Sequence, residues 1–373
     1  MLCPEAINSA EKQNLFQLDG RFYILTVSNI LLFIILGLIF VLPLFIKLIE
    51  ENLEIFLFIM GILAAVTGEA LNGALLKDIF TNVYMYIIVA IVLAGGCLFK
   101  IFSSKLRSGV NQTLKKISIE LFVFLFIVIL GLLSSIITAI VAALCLVEII
   151  NLLPLNRSAK INVNIMACFS IGLGAVLTPV GEPLATIVIG KLSKNPALHA
   201  DFFYMLRTLG VYVIPGIIIF ALLAVYFAKK GKISAQDREI VIEEENYRGI
   251  IFRALKIFLF LIALSLLGSG FKPIIDEYVI KIPAMGLYWI NMCSAVLDNA
   301  TLASAEISAS MTQNQIVAIL MGLLISGGMM IPGNIPNIIS ASKLKIRSKE
   351  WMRLGIPFGL IVMGIYFMVI FAI

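Results

Sequence analysis

The chain has 373 residues, 61% of them hydrophobic and 13% charged, with 28 Lys and Arg against 22 Asp and Glu. Soluble domains run at about 45–50% apolar and about 25% charged, so this balance excludes an ordinary soluble enzyme or binding domain and marks an integral membrane protein with mean hydropathy +1.07. The basic excess reads as loop charge that sets membrane orientation, which calls for a lipid bilayer and for no nucleic-acid partner.

Taken in chain order, residues 1–21 form a polar tail of mixed charge, without the positive-then-apolar order of a signal peptide. A helix needs about 20 apolar residues to cross the hydrocarbon core. Phe22–Ile46, Ile55–Leu76, Ile79–Phe99, Thr208–Ala228, Ile251–Gly268 and Leu354–Ile373 fit single spans. Ile117–Leu153 is too long for one crossing and too short for two, and polar residues interrupt Ile282–Met311. Asn162–Gly190 and Gln315–Ile339 have the length of long helices but carry Pro/Gly breaks at their centres.

Loop charge decides the sides. Lys100–Lys116, Lys229–Arg248 and Lys343–Arg353 each carry five Lys/Arg, and Arg157–Lys160 carries two. An excess of Lys and Arg marks the cytoplasmic side. For all four to lie there, Ile117–Leu153 must be a hairpin that enters and leaves from the inside, and Ile282–Met311 one that enters and leaves from the outside. The same scheme puts the acidic loop Lys47–Glu54 inside and both termini outside. The expected fold is all-α, a polytopic membrane protein with inverted repeats, each a re-entrant hairpin followed by a broken transmembrane helix. Its organisation is a tail (1–21), scaffold helices (22–116), a first transport repeat (117–207), scaffold helices with a cytoplasmic loop (208–272), a second transport repeat (273–350) and a last helix (351–373).

The two units share a chemical pattern. The first hairpin turns around LSSIIT, with Ser134, Ser135 and Thr138, and its broken helix carries GLGAVLTPVGEPLA from Gly172. The second hairpin carries SAVLDNAT, Ser294–Thr301, and its broken helix GGMMIPGNIPN, Gly327–Asn337. Proline removes a backbone donor and glycine permits unwound backbone, which lipid tolerates only where it faces protein or a watery cavity. Freed carbonyls and half-helix C-termini suit cations, and half-helix N-termini suit anions. A carboxylate at the midplane is costly and is a functional candidate by default.

Glu182, between Gly181 and Pro183, is therefore the leading candidate, followed by Asp298 with Asn299. Thr178, Ser134, Ser135, Thr138, Ser294 and Thr301 supply hydroxyls, although serine and threonine also commonly bond their own helix backbone. Pro179, Gly333, Asn334, Pro336 and Asn337 complete the two breaks. Glu69, with Asn72 one turn on, is an acid of the second span. Glu148 and Glu306 lie on the hairpin return arms, where pairing with Lys/Arg or solvation is the expectation. The five cysteines read as isolated thiols and His199 as a loop residue. No H-E-x-x-H, G-x-S-x-G or Walker A motif is present, so no enzyme activity is expected.

On these motifs the sequence resembles the ion transporter superfamily, which includes NhaD-type sodium/proton antiporters, arsenite permeases and divalent-anion/sodium symporters, and is closest to its poorly characterised cation-transporter branch. SAVLDNAT is similar to the Asp–Asn hairpin of the antiporters, and the two breaks to the superfamily's broken-helix signatures. The first hairpin departs from the pattern by lacking Asn and Asp. The resemblance implies an elevator-type secondary transporter of the cytoplasmic (inner) membrane, working as a homodimer. The expected activity is sodium/proton antiport, with Glu182, Asp298, Thr178 and Asn334 as sodium ligands and no bound cofactor. The alternative is sodium-coupled symport of an organic or inorganic anion.

Overall fold

The computed structural model describes residues 27–39, 52–83, 116–193, 200–232, 247–274, 282–296, 299–307 and 311–372, with scattered positions between 41 and 49, 85 and 97, 108 and 114, and at 198. The described residues are helical, with no strand among them beyond a lone bridge between Leu155 and Lys232. The helices are α1 (27–39), α2 (Leu53–Thr67), α3 (Gly73–Thr81), α4 (Ile119–Ile137), α5 (Ala139–Leu152), α6 (Arg157–Ala175) and α7 (Pro183–Leu192). They continue as α8 (Tyr204–Lys230), α9 (Tyr247–Gly270), α10 (Ala284–Ile290), α11 (Asn299–Glu306), α12 (Gln313–Gly327), α13 (Ile335–Leu344) and α14 (Ser348–Phe371). A 3₁₀ turn, Asn291–Ala295, continues α10.

Four helices, α4, α8, α9 and α14, are long and apolar enough to cross a membrane. Their outward faces are themselves apolar. On α4, Leu121, Leu125, Ile129, Leu132 and Ile136 are exposed while Val123, Ile127, Leu130 and Ser134 are buried. A helix that is apolar on both faces lies in a core or in lipid, and an exposed stripe of this extent has no place in water. The chain is a membrane protein.

α6 and α12 form the centre. Residues 163–175 of α6 and 316–327 of α12 are buried throughout. Small residues let their neighbours approach closely: a Cβ on Gly174 would fall 1.7 Å from Gly131 O of α4, and one on Gly322 2.6 Å from Tyr288 O of α10. Around this centre the packing is exchanged. α6 packs on α4 and α8, as α12 packs on α10 and α14, but α5 packs on α13, and α11 on α7.

The basic segments gather at one end. Lys232 pairs with Glu120 at 2.6 Å, Asn156 N donates to Gly231 O at 2.9 Å, and Arg157 reaches both Glu350 and Lys345 O. The α2–α9 pair runs parallel, with Glu54 3.4 Å from Lys256 at its start and Gly68 against Gly270 at its finish. Glu54 at the start of α2 thus lies beside the first half of α9.

One expectation fails here. Glu69 is not a span residue: α2 ends at Thr67, and Glu69 is exposed in a turn at φ 54, with Asn72 capping Leu75 N of α3 at 2.9 Å. Gly68 and Asn72 flank an apolar run with turn chemistry, and the turn chemistry prevails.

Candidate functional site

The first helix pair turns on a single residue. α4 and α5 are separated only by Thr138, at φ 73 and ψ 149, a costly backbone for a β-branched residue. Thr138 Oγ1 caps α5 through Val141 N, and Ala139 N donates to Gly181 O at 3.0 Å. The strained tip is thereby held against the break of the following helix. Thr178 reinforces this by donating to Ser135 O at 2.5 Å, one of the last carbonyls of α4, which has no partner within its own helix.

Between α6 and α7 the chain unwinds over residues 176–182. Gly181 is required by space, because a Cβ there would fall 2.0 Å from Ala175 O. Pro179 O accepts from Thr186 Oγ1 at 2.8 Å, and Pro183 opens α7. Glu182 is the N-cap of α7, in extended backbone (φ −156, ψ 157), 7% exposed, and its carboxylate does not cap the helix.

The second break repeats this geometry. Asn334 is the N-cap of α13 at φ −154 and ψ 146, buried, again with no side-chain cap and with Pro336 in the first turn. Asparagine is among the best N-cap residues, yet here its amide lies against the other helix, 2.7 Å from where a Cβ on Gly172 would stand. Gly172 is one turn before the end of α6, so the second break abuts the helix that leads into the first. Asn337 stitches the break, donating to Gly327 O at 2.8 Å and Met330 O at 2.9 Å. Gly333 lies against the second hairpin, where a Cβ would fall 2.7 Å from Ser294 O.

The structure thus gathers Thr178, Gly181 and Glu182 with Ser135 and Thr138, and Gly333, Asn334 and Asn337 with Ser294. Ser294 and Asn299 are buried, and Ser294 Oγ and Asn299 Nδ2 have no partner among the described residues. Asp298 and His199, and the side chain of Thr301, lie outside the described residues. Ser134 and Thr178 spend their hydroxyl protons on carbonyls of a neighbouring element and act first as ties, while Ser135 donates to Leu132 O of its own helix.

The return-arm acids diverge. Glu148 pairs with Lys343 at 3.2 Å, as expected of such a residue. Glu306 corrects the expectation: it is 3% exposed and forms no salt bridge among the described residues. Its burial comes from α11 packing on both α7 and α12. Sequence reasoning also passed over Asn164, Ser340 and Asn291. Asn164 of α6 donates to Ser340 Oγ of α13 at 3.0 Å, 176 residues away, and both are fully buried. The signal was there in the polar residues of INVNIM and WINMCS, set in otherwise apolar runs.

Thr178→Val removes the donor from Ser135 O and leaves a buried carbonyl unpaired, which costs about 1–3 kcal/mol. The expected result is a lower midpoint of thermal unfolding in detergent, with the second half unaffected in its protease accessibility.

A model of the family described as "Protein of unknown function (DUF1646)" matches residues 29–373, and the chain belongs to that family. No curated protein matches it.

Proposed function

We propose that this member of the family is a multi-pass secondary active transporter of the cytoplasmic membrane that exchanges a monovalent cation, sodium, for protons. One observation carries the reading: two helix breaks with the same backbone, Glu182 and Asn334 each as an extended N-cap with a proline in the first turn, each packed against the helical pair that precedes it. The exchanged packing, α5 on α13 and α11 on α7, supports an inverted repeat with a two-fold relation between the halves. Lysines occupy equivalent places in it: Lys343 reaches Glu148 of the first hairpin, and Lys191 donates to Ile307 O beside the second at 3.2 Å. Paired broken helices near the midplane are the common architecture of secondary transporter sites.

The chemistry follows from the parts. The C-terminal carbonyls of α6 carry partial negative charge, and Glu182 adds a full one when ionised. A dehydrated cation and a proton then compete for the carboxylate, since burial favours the neutral acid and a bound cation favours the anion. The second hairpin and break contribute neutral oxygens. In an elevator cycle, α2 and α9 belong to the scaffold, and the units around α6 and α12 carry the ion. No Lys or Arg lies within Gly172–Ala185, Ser294–Thr301 or Gly327–Asn337, which favours a cation over an anion as cargo.

The test is reconstitution in liposomes containing a pH-sensitive dye. Addition of sodium is expected to drive protons out of the lumen, with lithium and potassium as comparison cations. Sodium-dependent uptake of a labelled dicarboxylate or arsenite, without proton movement, is the result that replaces antiport by anion symport.

A further inference from the structure

We propose that Glu306 carries an exchangeable proton on a buried acid–amide pair with Asn291, separate from the carboxylate at the first break. Glu306 closes the return arm of the second hairpin, and Asn291 opens the 3₁₀ turn on its first arm. They are 3% and 1% exposed. The Asn291 side chain stands near the Glu306 carboxyl, with its amide nitrogen 3.4 Å from Ile319 O. Two acceptor atoms are left over: Glu306 Oε2 and Asn291 Oδ1 have no partner among the described residues.

An ionised carboxylate only accepts hydrogen bonds, so it leaves both of these oxygens without a donor. A single proton on Oε2 changes that. The acid O–H donates to the amide oxygen while the amide N–H donates to the acid carbonyl, a reciprocal pair in which no buried oxygen is stranded. An ionised, unpaired carboxylate at this depth is strongly disfavoured.

The surroundings hold little charge. α12 carries no titratable residue, and the 3₁₀ turn carries Cys293. The titratable residues of α9 fall within its first ten positions, and Lys256 among them is engaged with Glu54. α7 brings Lys191, whose ammonium donates to the carbonyl of the next residue, Ile307. Lys191 is a nearby cation, and the test must separate a protonated Glu306 from one ionised against it. Exchange makes and breaks only the Oε2–H bond, with water taking the proton.

The assignment of this proton to the transport cycle rests on the proposed antiport, but the protonation itself does not. Infrared spectra of the full chain in lipid nanodiscs, recorded across pH, read the carbonyl stretch of protonated carboxyls. A titrating band is expected that persists in Glu182→Gln and disappears in Glu306→Gln. Asn291→Leu is expected to keep the band but shift its frequency and its midpoint, as a purely structural residue would not. Should Glu306→Gln misfold, Glu306→Asp keeps a carboxyl and is expected to shift the band. An unchanged spectrum in the folded Glu306→Gln or Glu306→Asp variant, or a spectrum with no protonated carboxyl at any pH where the wild type is folded, overturns the proposal. In liposomes, Glu306→Gln is expected to move fewer protons per sodium than the wild type, because Glu182 still exchanges its own, while retaining exchange of labelled for unlabelled sodium. Wild-type protein that moves no protons on sodium addition would refute the antiport reading and leave the infrared result to decide Glu306.

Discussion

Glu182→Gln is expected to abolish sodium-driven proton movement in liposomes, down to the level of protein-free vesicles, while the protein stays folded. The substitution keeps the size, turns one acceptor oxygen into an NH2 donor, and removes the charge and the titrating proton. Glu182 stands at the N-terminus of α7, where a helix favours a negative group by about 0.3–1 kcal/mol, and up to about 2 kcal/mol in a partly buried setting. The residue itself is 7% exposed. Replacing a charged ligand by a neutral one costs about 1.5–3 kcal/mol, or about ten- to a hundredfold in apparent cation affinity. Loss of coupling adds to this, because an amide has no proton to exchange. Glu182→Asp keeps the charge one methylene back and is expected to retain part of the activity. Thermal unfolding of Glu182→Gln is expected to match or exceed that of the wild type, since a buried amide is cheaper to desolvate than a buried carboxylate. Wild-type transport by Glu182→Gln would remove this residue from the site, even with antiport intact.

How far the site was legible before any coordinates depended on whether its signals were local. The breaks were, because prolines and glycines act through their own backbone. α7 starts at Pro183 and α13 at Ile335, just before Pro336, and the glutamate and asparagine ahead of them share one conformation. The division of residues 117–153 into two helices was also readable, since its length suits neither one crossing nor two. That the turn is Thr138 alone, with a strained backbone, was not readable. It is held by Gly181, more than forty residues later in the chain. Glu306 shows the same limit. Its position on a return arm near charged loops suits a solvated acid, and only the packing of α11 on α7 and α12 buries it. The hydroxyls were ambiguous for another reason: a serine beside a helix end can bind a cation or tie off a carbonyl. Ser134, Ser135 and Thr178 do the latter in this conformation. Glu69 was misplaced because an apolar window hid a five-residue turn.

Gly333→Ala tests whether the second hairpin must stay seated on its break. No positive φ is involved, so the glycine is needed for space alone. A Cβ at 333 would fall 2.6 Å from Gly327 O, 2.7 Å from Ser294 O and 2.9 Å from Ala295 O. All three are backbone atoms, which cannot rotate away as a side chain can. The methyl group must therefore push the hairpin off the break or pull α12 and α13 apart. Overpacking of this kind costs about 1–3 kcal/mol. Ser294 and Asn334 would be displaced with it, and the spacing of neutral ligands in the proposed site depends on them. The expected result is a lower unfolding midpoint together with transport reduced to background. The matched control is Gly364→Ala on α14, where a Cβ meets nothing within 4 Å. In a helix interior that change favours folding by about 0.5–1 kcal/mol, so the control should unfold slightly later and transport as the wild type does. The comparison separates a general effect of an added methyl from the specific one at the break. If Gly333→Ala were destabilised but still transported at wild-type rates, the hairpin–break contact would be structural only, and the cation would have to be held by the first half of the protein.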